Sequence, residues 1–551
     1  MKTLKKTILC TLLITSATML LCSWNTFRNE DGQGNANIVS SRTPIDTKKG
    51  GTIWTRSFLS GGNTTTCNSS PVITESAIYI VSRNMLYEMD FVGNVKRKLT
   101  LSASMNSVCN MLRHDDFLYI PLSSGKMECV RLSTLKRIWV SESFGGQSLS
   151  TVYYHKGYLY AGTTSMTGTK TGITNTNGIF YCLNASDGST QWTYRDEEHP
   201  GGYYWGGGIT YGNALYFAGD NGILVSHSLL TDEVYDTRKI TENGNIRAGL
   251  TYDSVTDSLY TASNDGQVHK ITTDKEGKIQ NILSAKIIPN AKTANCTSTP
   301  TVWNGRLYIG SSADSIGYLS VLDAATLSPR YSVPCGEFHE VKSSPLVSTA
   351  YANAKNNQTV YVYFSCNAMP GGIFYIKDSE ATTSAKAETL YTPAKAPQFC
   401  LSSIAADKDG TLFYSNDSGT FFAVSEVAVS SDRITAKPTP SFTPTQKPVT
   451  TKKPSSVNDE KVKKPKAPTK IRYKKRGNKY RISWKKKTKN SQTVVYVRYN
   501  SGKWKKKCVT QKSFCTIKKG RKKIQIRLRS RIRRNKKWYY SSYTKKVRLK
   551  K

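Results

Sequence analysis

From Lys461 to the C-terminus the chain contains no Asp or Glu. It carries 38 Lys or Arg over the same stretch, while the 460 residues before it have a net charge of only +3. The overall net charge of +41 is therefore segregated into a nearly neutral body and a strongly basic tail. Long apolar runs are also missing beyond Leu21, and without a stretch of ~18 apolar residues a multi-span membrane protein is excluded. Histidine is scarce: His114, His155, His199, His227, His269 and His339 are scattered, with no H-E-x-x-H. No G-x-S-x-G elbow, P-loop or EF-hand loop occurs, so the commonest motif-borne chemistries have no foothold. The glycines of WGGGITYG at Trp205–Gly212 open a strand pattern, not a helix, and form no dinucleotide fingerprint. No C-x-x-C and no Cys/His cluster with zinc spacing is present, which argues against structural zinc and thioredoxin-like exchange. What remains is 38% hydrophobic and 10% aromatic, enough to bury a core and exclude disorder over most of the length.

The N-terminus reads as an export signal. Lys2, Lys5 and Lys6 precede an apolar stretch from Ile8 to Leu21, the order of a basic n-region and an h-region. Residues 1–23 are thus a signal peptide or N-terminal anchor, with Cys22 placed where a lipoprotein cysteine could stand, and 24–50 are a spacer. Export places the ten cysteines that follow residue 23 in a compartment where pairing is permitted.

Residues 51–427 repeat themselves. Eight short strands end in an aromatic, at Tyr79, Tyr119, Tyr160, Tyr216, Tyr260, Tyr308, Tyr361 and Phe413, spaced 40 to 56 residues apart. A strand precedes each, often opened by small polar residues, as in SSPVI, STPTV and SSPLV. A Gly turn and a third strand follow, then in several units a fourth strand ending in Trp139, Trp192 or Tyr331. Four strands per repeat of this length is the pattern of a propeller blade, in which stacked blades supply the burial that a single sheet lacks. The expected fold is all-β: an eight-bladed β-propeller, followed by a small β-sandwich. Trp54 begins the series and is a candidate to complete the last blade.

The run L-x-A-x-x-G-x-x-x-W at Leu183–Trp192, with partial copies at Arg131–Trp139 and Leu322–Tyr331, resembles the repeat of the pyrroloquinoline-quinone (PQQ)-type propellers. That resemblance implies either a quinoprotein oxidoreductase using PQQ with calcium, or a member of the non-catalytic branch that needs no cofactor. The adjacent-cysteine pair of several such dehydrogenases is missing here, so no catalytic residue is assigned and the chain is read as not an enzyme. Segments leading into the innermost strands carry Tyr203, Tyr204, Trp205, Arg247, His339 and Lys342. Aromatic and basic groups at a propeller mouth suit a glycan, peptide or anionic ligand, and equally suit packing of blade on blade. Cys67, Cys296 and Cys400 occupy equivalent repeat positions; Cys67 and Cys400, in the first and last repeats, are candidates for a disulfide across the ring junction.

Residues 428–467 are a linker by composition, with Pro438, Pro440, Pro444, Pro448 and Pro454 among Thr, Ser and Lys, an extended spacer. In 468–551, Tyr480, Ile482 and Trp484, then Val495, Val497 and Tyr499, then Ile524, Ile526 and Leu528 alternate with polar residues. The strand order resembles a fibronectin type III domain of the lysine-rich kind. Cys508 and Cys515 flank a short polar loop and are expected to pair. The charge points to an anionic cell-wall polymer or membrane surface as the tail's partner, with no specific nucleic acid, and to an unknown protein or glycan at the propeller. The whole reads as an extracytoplasmic, surface-associated binding protein.

Overall fold

The computed structural model describes residues 37–46, 51–58, 69–105, 110–148, 150–169, 172–203, 206–337, 339–426, 465–476, 479–485, 488, 491–500, 504–518, 524–534, 537–541, 543–544 and 546–549. The chain divides at Pro440/Ser441 into two units.

The first unit is all-β and has the β-propeller arrangement. Its described residues form eight sheets in chain order, antiparallel but for one short added strand, the first built from Val72–Ile73, Ile78–Ser82, Met85–Met89 and Val95–Thr100. Within each sheet the main strands follow one another in sequence order. Gly51–Ser57 is the exception in sequence: it pairs antiparallel with Thr420–Ser425 and supplies the fourth strand of the last sheet. Burial links each sheet to its neighbour, and one cluster joins Ile78, Ile80 and Met89 of the first sheet to Phe413, Phe421 and Ala423 of the last.

The aromatic strand ends explain how the sheets stack. Tyr160, Tyr216, Tyr260 and Tyr308 are fully buried. Their hydroxyls could not be buried unpaired without cost, and several reach a turn of the following sheet. Tyr119 donates to Ala185 O, Tyr160 to Leu229 O and Tyr260 to Ala324 O, at 3.4, 3.0 and 2.7 Å. Each of these three side chains fills the interface with its ring and ties it with its oxygen, while the Tyr216 hydroxyl is buried without a hydrogen-bond partner among the described residues.

Two features differ from the sequence expectation. In the seventh sheet Tyr361 is half-buried, and Tyr363 takes the buried place. Tyr363 opposes Leu346, the residue after Pro345, just as Tyr308 opposes Thr301 after Pro300. A 3-10 turn at Ala354–Asn356 lengthens that hairpin and carries the aromatic two positions on. Second, residues 37–46, inside the expected spacer, are packed. Ile38–Val39 adds a parallel strand to Leu346–Ser348, and Tyr363 donates to Pro44 O at 2.9 Å.

Trp54 secures the junction of last and first sheets. Its ring lies 5.8 Å from Phe421 and 6.2 Å from Phe413, and its Nε1 donates to Phe91 O at 2.8 Å. Gly93, at φ +84, sits so close that an added Cβ would be 2.7 Å from the indole. Gly93→Ala is therefore expected to cost about 1–3 kcal/mol, read from the denaturation midpoint. In a Trp54→Ala background the cost should shrink, because the clash goes while the strain of the positive φ stays. An equal cost in both backgrounds would contradict this seating of the ring.

The second unit is a two-sheet arrangement. One sheet holds Thr469–Arg476, Lys479–Lys485 and Phe514–Lys518; the other holds Lys505–Thr510, Gln492–Tyr499, Ile524–Arg534 and Lys537–Tyr540, with Val547–Leu549 also on Ile524–Arg534. Tyr480, Ile482, Trp484, Val495, Val497, Ile524, Ile526 and Leu528 form its core. The period-two pattern places each of them inward.

Candidate functional site

In sheets of this order, the connectors from an outer strand to the next inner strand share a rim with the tips of the middle hairpins. The sequence-derived candidates lie on these connectors. Tyr203 is only 4% exposed, with its ring edge-on to Phe180 at 5.3 Å and Phe217 at 5.6 Å. It is packed between sheets and presents almost no surface to a ligand. Tyr204 and Trp205 lie outside the described residues. Arg247 Nε donates to Asp220 Oδ1 at 3.1 Å, across to the hairpin tip of the preceding sheet.

His339 and Lys342 belong to a different place on the rim. A cleft of about 340 Å³ is lined by Thr293, Asn295, Ser312, Asp314, His339 and Glu340, among others. His339 Nδ1 lies 2.8 Å from Cys335 O, a contact in which Nδ1–H donates to the carbonyl. Lys342 Nζ pairs with Glu340 Oε2 at 2.5 Å, and Asn295 Nδ2 donates to Glu340 Oε1 at 3.1 Å. Burial alone would raise the Glu340 carboxyl, but the Lys342 ammonium outweighs it and holds it below its ordinary value. Asp314 caps the opposite wall, accepting from the backbone N–H of Thr293 at 2.9 Å and of Lys292 at 3.0 Å, which lowers its pKa. The cleft has a mixed lining in which a few hydrogen-bonded polar groups converge, and is suited to a small polar group or a peptide turn. The sequence pattern alone does not single out Asn295, Asp314 and Glu340. Their signal is weak: an Asp-Ser hairpin tip, and an acid two residues before Lys342.

Ser263, Asp265 and His269 superficially suggest nucleophilic chemistry. Ser263 Oγ lies 2.8 Å from His269 Nε2. However, Asp265 bonds Ser263, and His269 Nδ1 meets Ser284 Oγ at 2.8 Å. The carboxylate is not behind the imidazole as a triad requires, and both Ser263 and His269 are wholly buried. Burial pushes His269 down to about 4, with Asp265 opposing. An imidazole in the unfolded chain titrates near ~6.5. As pH falls below ~6.5, the unfolded chain takes up a proton that the fold refuses until about pH 4, so His269 withdraws stability across that window, by roughly 3 kcal/mol at its lower end. His269→Gln is expected to flatten this part of the stability–pH curve, measured as denaturation midpoints at pH 7 and pH ~4.5. A variant curve parallel to that of the parent would refute the assignment.

PQQ with calcium would call for oxygen donors converging on one point. Asp220, Asp314 and Glu340 are instead engaged by Arg247, by backbone N–H groups and by Lys342. Among the described residues, no three His, Cys, Asp or Glu side chains gather closely enough to hold a metal ion.

Cys67 lies outside the described residues. Cys400 is fully buried, its Sγ 3.4 Å from Ser415 O, matching Cys296 at 3.2 Å from Gly310 O. Cys508 and Cys515 are free thiols. They are not on one hairpin: Lys505–Thr510 and Phe514–Lys518 belong to opposite sheets, and the loop between them crosses the sandwich edge. Burial and the Cys508 thiol push Cys515 up to about 12. Cys366 is likewise raised by the adjacent Cys335 thiol and by burial, a proximity that linear spacing does not suggest.

No helix among the described residues is long and apolar enough to cross a membrane. No family model and no curated protein matches the chain. Solved structures do resemble it. A quinohemoprotein alcohol dehydrogenase from Pseudomonas putida HK5 aligns with a TM-score of 0.53 at 12% identity, over 78% of this chain and 84% of that one. The quinohemoprotein alcohol dehydrogenase of Comamonas testosteroni gives 0.53 at 12% identity, over 73% and 81%. BamB from Moraxella catarrhalis gives 0.47 at 12% identity, over 66% and 99%. At such identity the likeness is one of fold, and it is to β-propeller proteins.

Proposed function

We propose that this is an exported scaffold protein that works at the cell surface. A single eight-bladed ring presents the rim as an interaction platform for a protein or glycan. The linker and a fibronectin type III-like basic unit hold it to an anionic envelope polymer. The observation that carries the reading is the segregation of charge: 38 cationic side chains and no acidic one after residue 460, against a net +3 before. Solubility calls for a net charge of only ~2–8 on a small domain, so this excess needs another reason, and an external polyanion supplies one. The strand order of the C-terminal unit supports the fibronectin-like assignment. Catalysis and a resident cofactor form no part of this reading. The test is sedimentation with isolated cell walls at low salt. The full chain should co-sediment, and the chain lacking residues 468–551 should stay in solution. Equal retention of both would end the reading.

A further inference from the structure

The basic unit does not spread its arginines evenly over its two sheets: the strands of one hold Arg472, Arg476 and Arg481, and those of the other hold Arg498, Arg527, Arg529, Arg531, Arg533, Arg534 and Arg548. On the sheet containing Gln492–Tyr499 and Ile524–Arg534, the core takes Val495, Val497, Ile526 and Leu528, so alternate residues face outward. Those residues include Tyr496 and Arg498 on one strand and Arg527 and Arg529 on its neighbour, with Tyr496 directly opposite Arg527. Rings and guanidinium groups then alternate. Arg498 lies 5.1 Å from the Trp504 ring, and Arg527 lies 4.6 Å from the same ring. Arg527 also lies 3.9 Å from the Tyr543 ring, which Arg529 approaches at 4.8 Å. Arg529 Nη2 donates to the Tyr496 hydroxyl at 2.8 Å, and Arg498 Nε donates to Gln525 Oε1 at 3.0 Å.

Three like charges held this close repel one another. In most proteins a carboxylate side chain between them relieves the repulsion, but the sequence holds no Asp or Glu after residue 460. The ring contacts fix the planes of the guanidinium groups. The Nε of Arg527 has no hydrogen-bond partner although it is shielded from solvent. Arg527 and Arg529 are two residues apart on one strand, a repeat of ~7 Å along it.

We propose that Arg498, Arg527 and Arg529 form a binding face for a linear, base-free phosphate polymer laid along these strands. This rests on the anchoring function proposed above and names the face and the ligand chemistry for it. Phosphate suits the planar donor fork of Arg, which can engage two oxygens at once. A flat bilayer fits less well, because the three arginines are half-buried among rings and do not stand clear of the surface to meet its headgroups. Nucleic acid would want open aromatic faces for its bases, and here arginines cover the rings of Trp504 and Tyr543.

The test uses the full chain and long-chain inorganic polyphosphate, with binding followed by titration calorimetry and by Trp emission. Three triple variants are compared: R498Q/R527Q/R529Q, R498K/R527K/R529K, and the charge-matched control K474Q/K479Q/K485Q on the opposite sheet. Both arginine variants are expected to lose about tenfold or more in affinity, while the lysine control loses about threefold or less. The Arg→Lys variant keeps the charge and the fold, so its loss isolates the fork geometry. Equal losses in the arginine-to-glutamine variant and the lysine control, or full binding by the Arg→Lys variant, overturn the proposal and leave a diffuse grip. Phosphatidylglycerol vesicles or single-stranded DNA that bind more tightly than polyphosphate through the same arginines overturn the ligand assignment. A parent protein that binds cell walls but not polyphosphate overturns only this inference; one that binds neither overturns the anchoring function as well.

Discussion

Attachment of the full chain to an anionic envelope polymer is expected to weaken by orders of magnitude as salt rises. Each phosphate neutralised by Lys or Arg releases condensed counterions, and the logarithm of affinity falls with the logarithm of salt by ~0.7–0.9 per contact on nucleic acids. A similar trend is expected on any polyanion of comparable charge density. Six to ten contacts would cost ~10³–10⁵ in affinity between ~50 and ~200 mM salt. The C-terminal unit can make that many contacts, since its basic residues after position 460 have no Asp or Glu among them to compete for pairing. Exposed Lys474, Lys479 and Lys485 stand on one sheet, and half-buried Arg498, Arg527 and Arg529 on the other. The first unit should show almost no slope of its own. Its net charge is small, and several of its charges are paired locally, as in Arg247 with Asp220, Arg330 with Asp323 and Lys342 with Glu340. A full-length protein whose attachment is indifferent to salt would mean that contact is made by shape or by the propeller, and the tail would be a solvated surface.

The period of the repeats is readable because each unit must solve the same burial problem. An aromatic strand end, a left-handed turn and a small residue before the inner strand are imposed by the stacking of sheets. Where a turn is lengthened, the register moves, and the buried aromatic is Tyr363 where the repeat points to Tyr361. Residues 37–46 are unreadable for another reason: a two-residue parallel strand, Ile38–Val39, has too short a pattern to stand out. The site is less legible than the fold. Tyr203 and Arg247 look alike in sequence, as polar or aromatic residues in a connector. One is packed between Phe180 and Phe217, and the other is tied to an Asp 27 residues away. Nothing in linear spacing distinguishes these fates, because both are decided by the neighbouring sheet. Cys508 and Cys515 show the same limit: the short loop between them implies proximity, but not that they stand on opposite sheets.

Replacing Asp378 is expected to destabilise the first unit severely. Its carboxylate is wholly buried and receives Arg306 Nε at 2.6 Å and Nη2 at 2.5 Å. Tyr308 donates to it at 2.6 Å, and Tyr331 donates to its other oxygen. Arg306, Tyr308 and Tyr331 come from the sixth sheet and Asp378 from the seventh, so the cluster binds two sheets through one side chain. Burial and the nearby carboxylate push both phenols above their ordinary pKa, which keeps them as donors. Asp378→Asn would leave the Arg306 guanidinium, only 3% exposed, without a counter-charge. Breaking a buried pair from one side costs about 3–5 kcal/mol, most of it from the stranded charge. Arg306→Met should cost a similar amount by stranding the carboxylate. The double variant Arg306→Met/Asp378→Asn should then lose less than the sum, since no charge is left buried. Chemical denaturation of the four proteins reads all of these. Additive losses, or a loss below about 1 kcal/mol for Asp378→Asn, would mean that water reaches the pair and that it behaves as a surface contact.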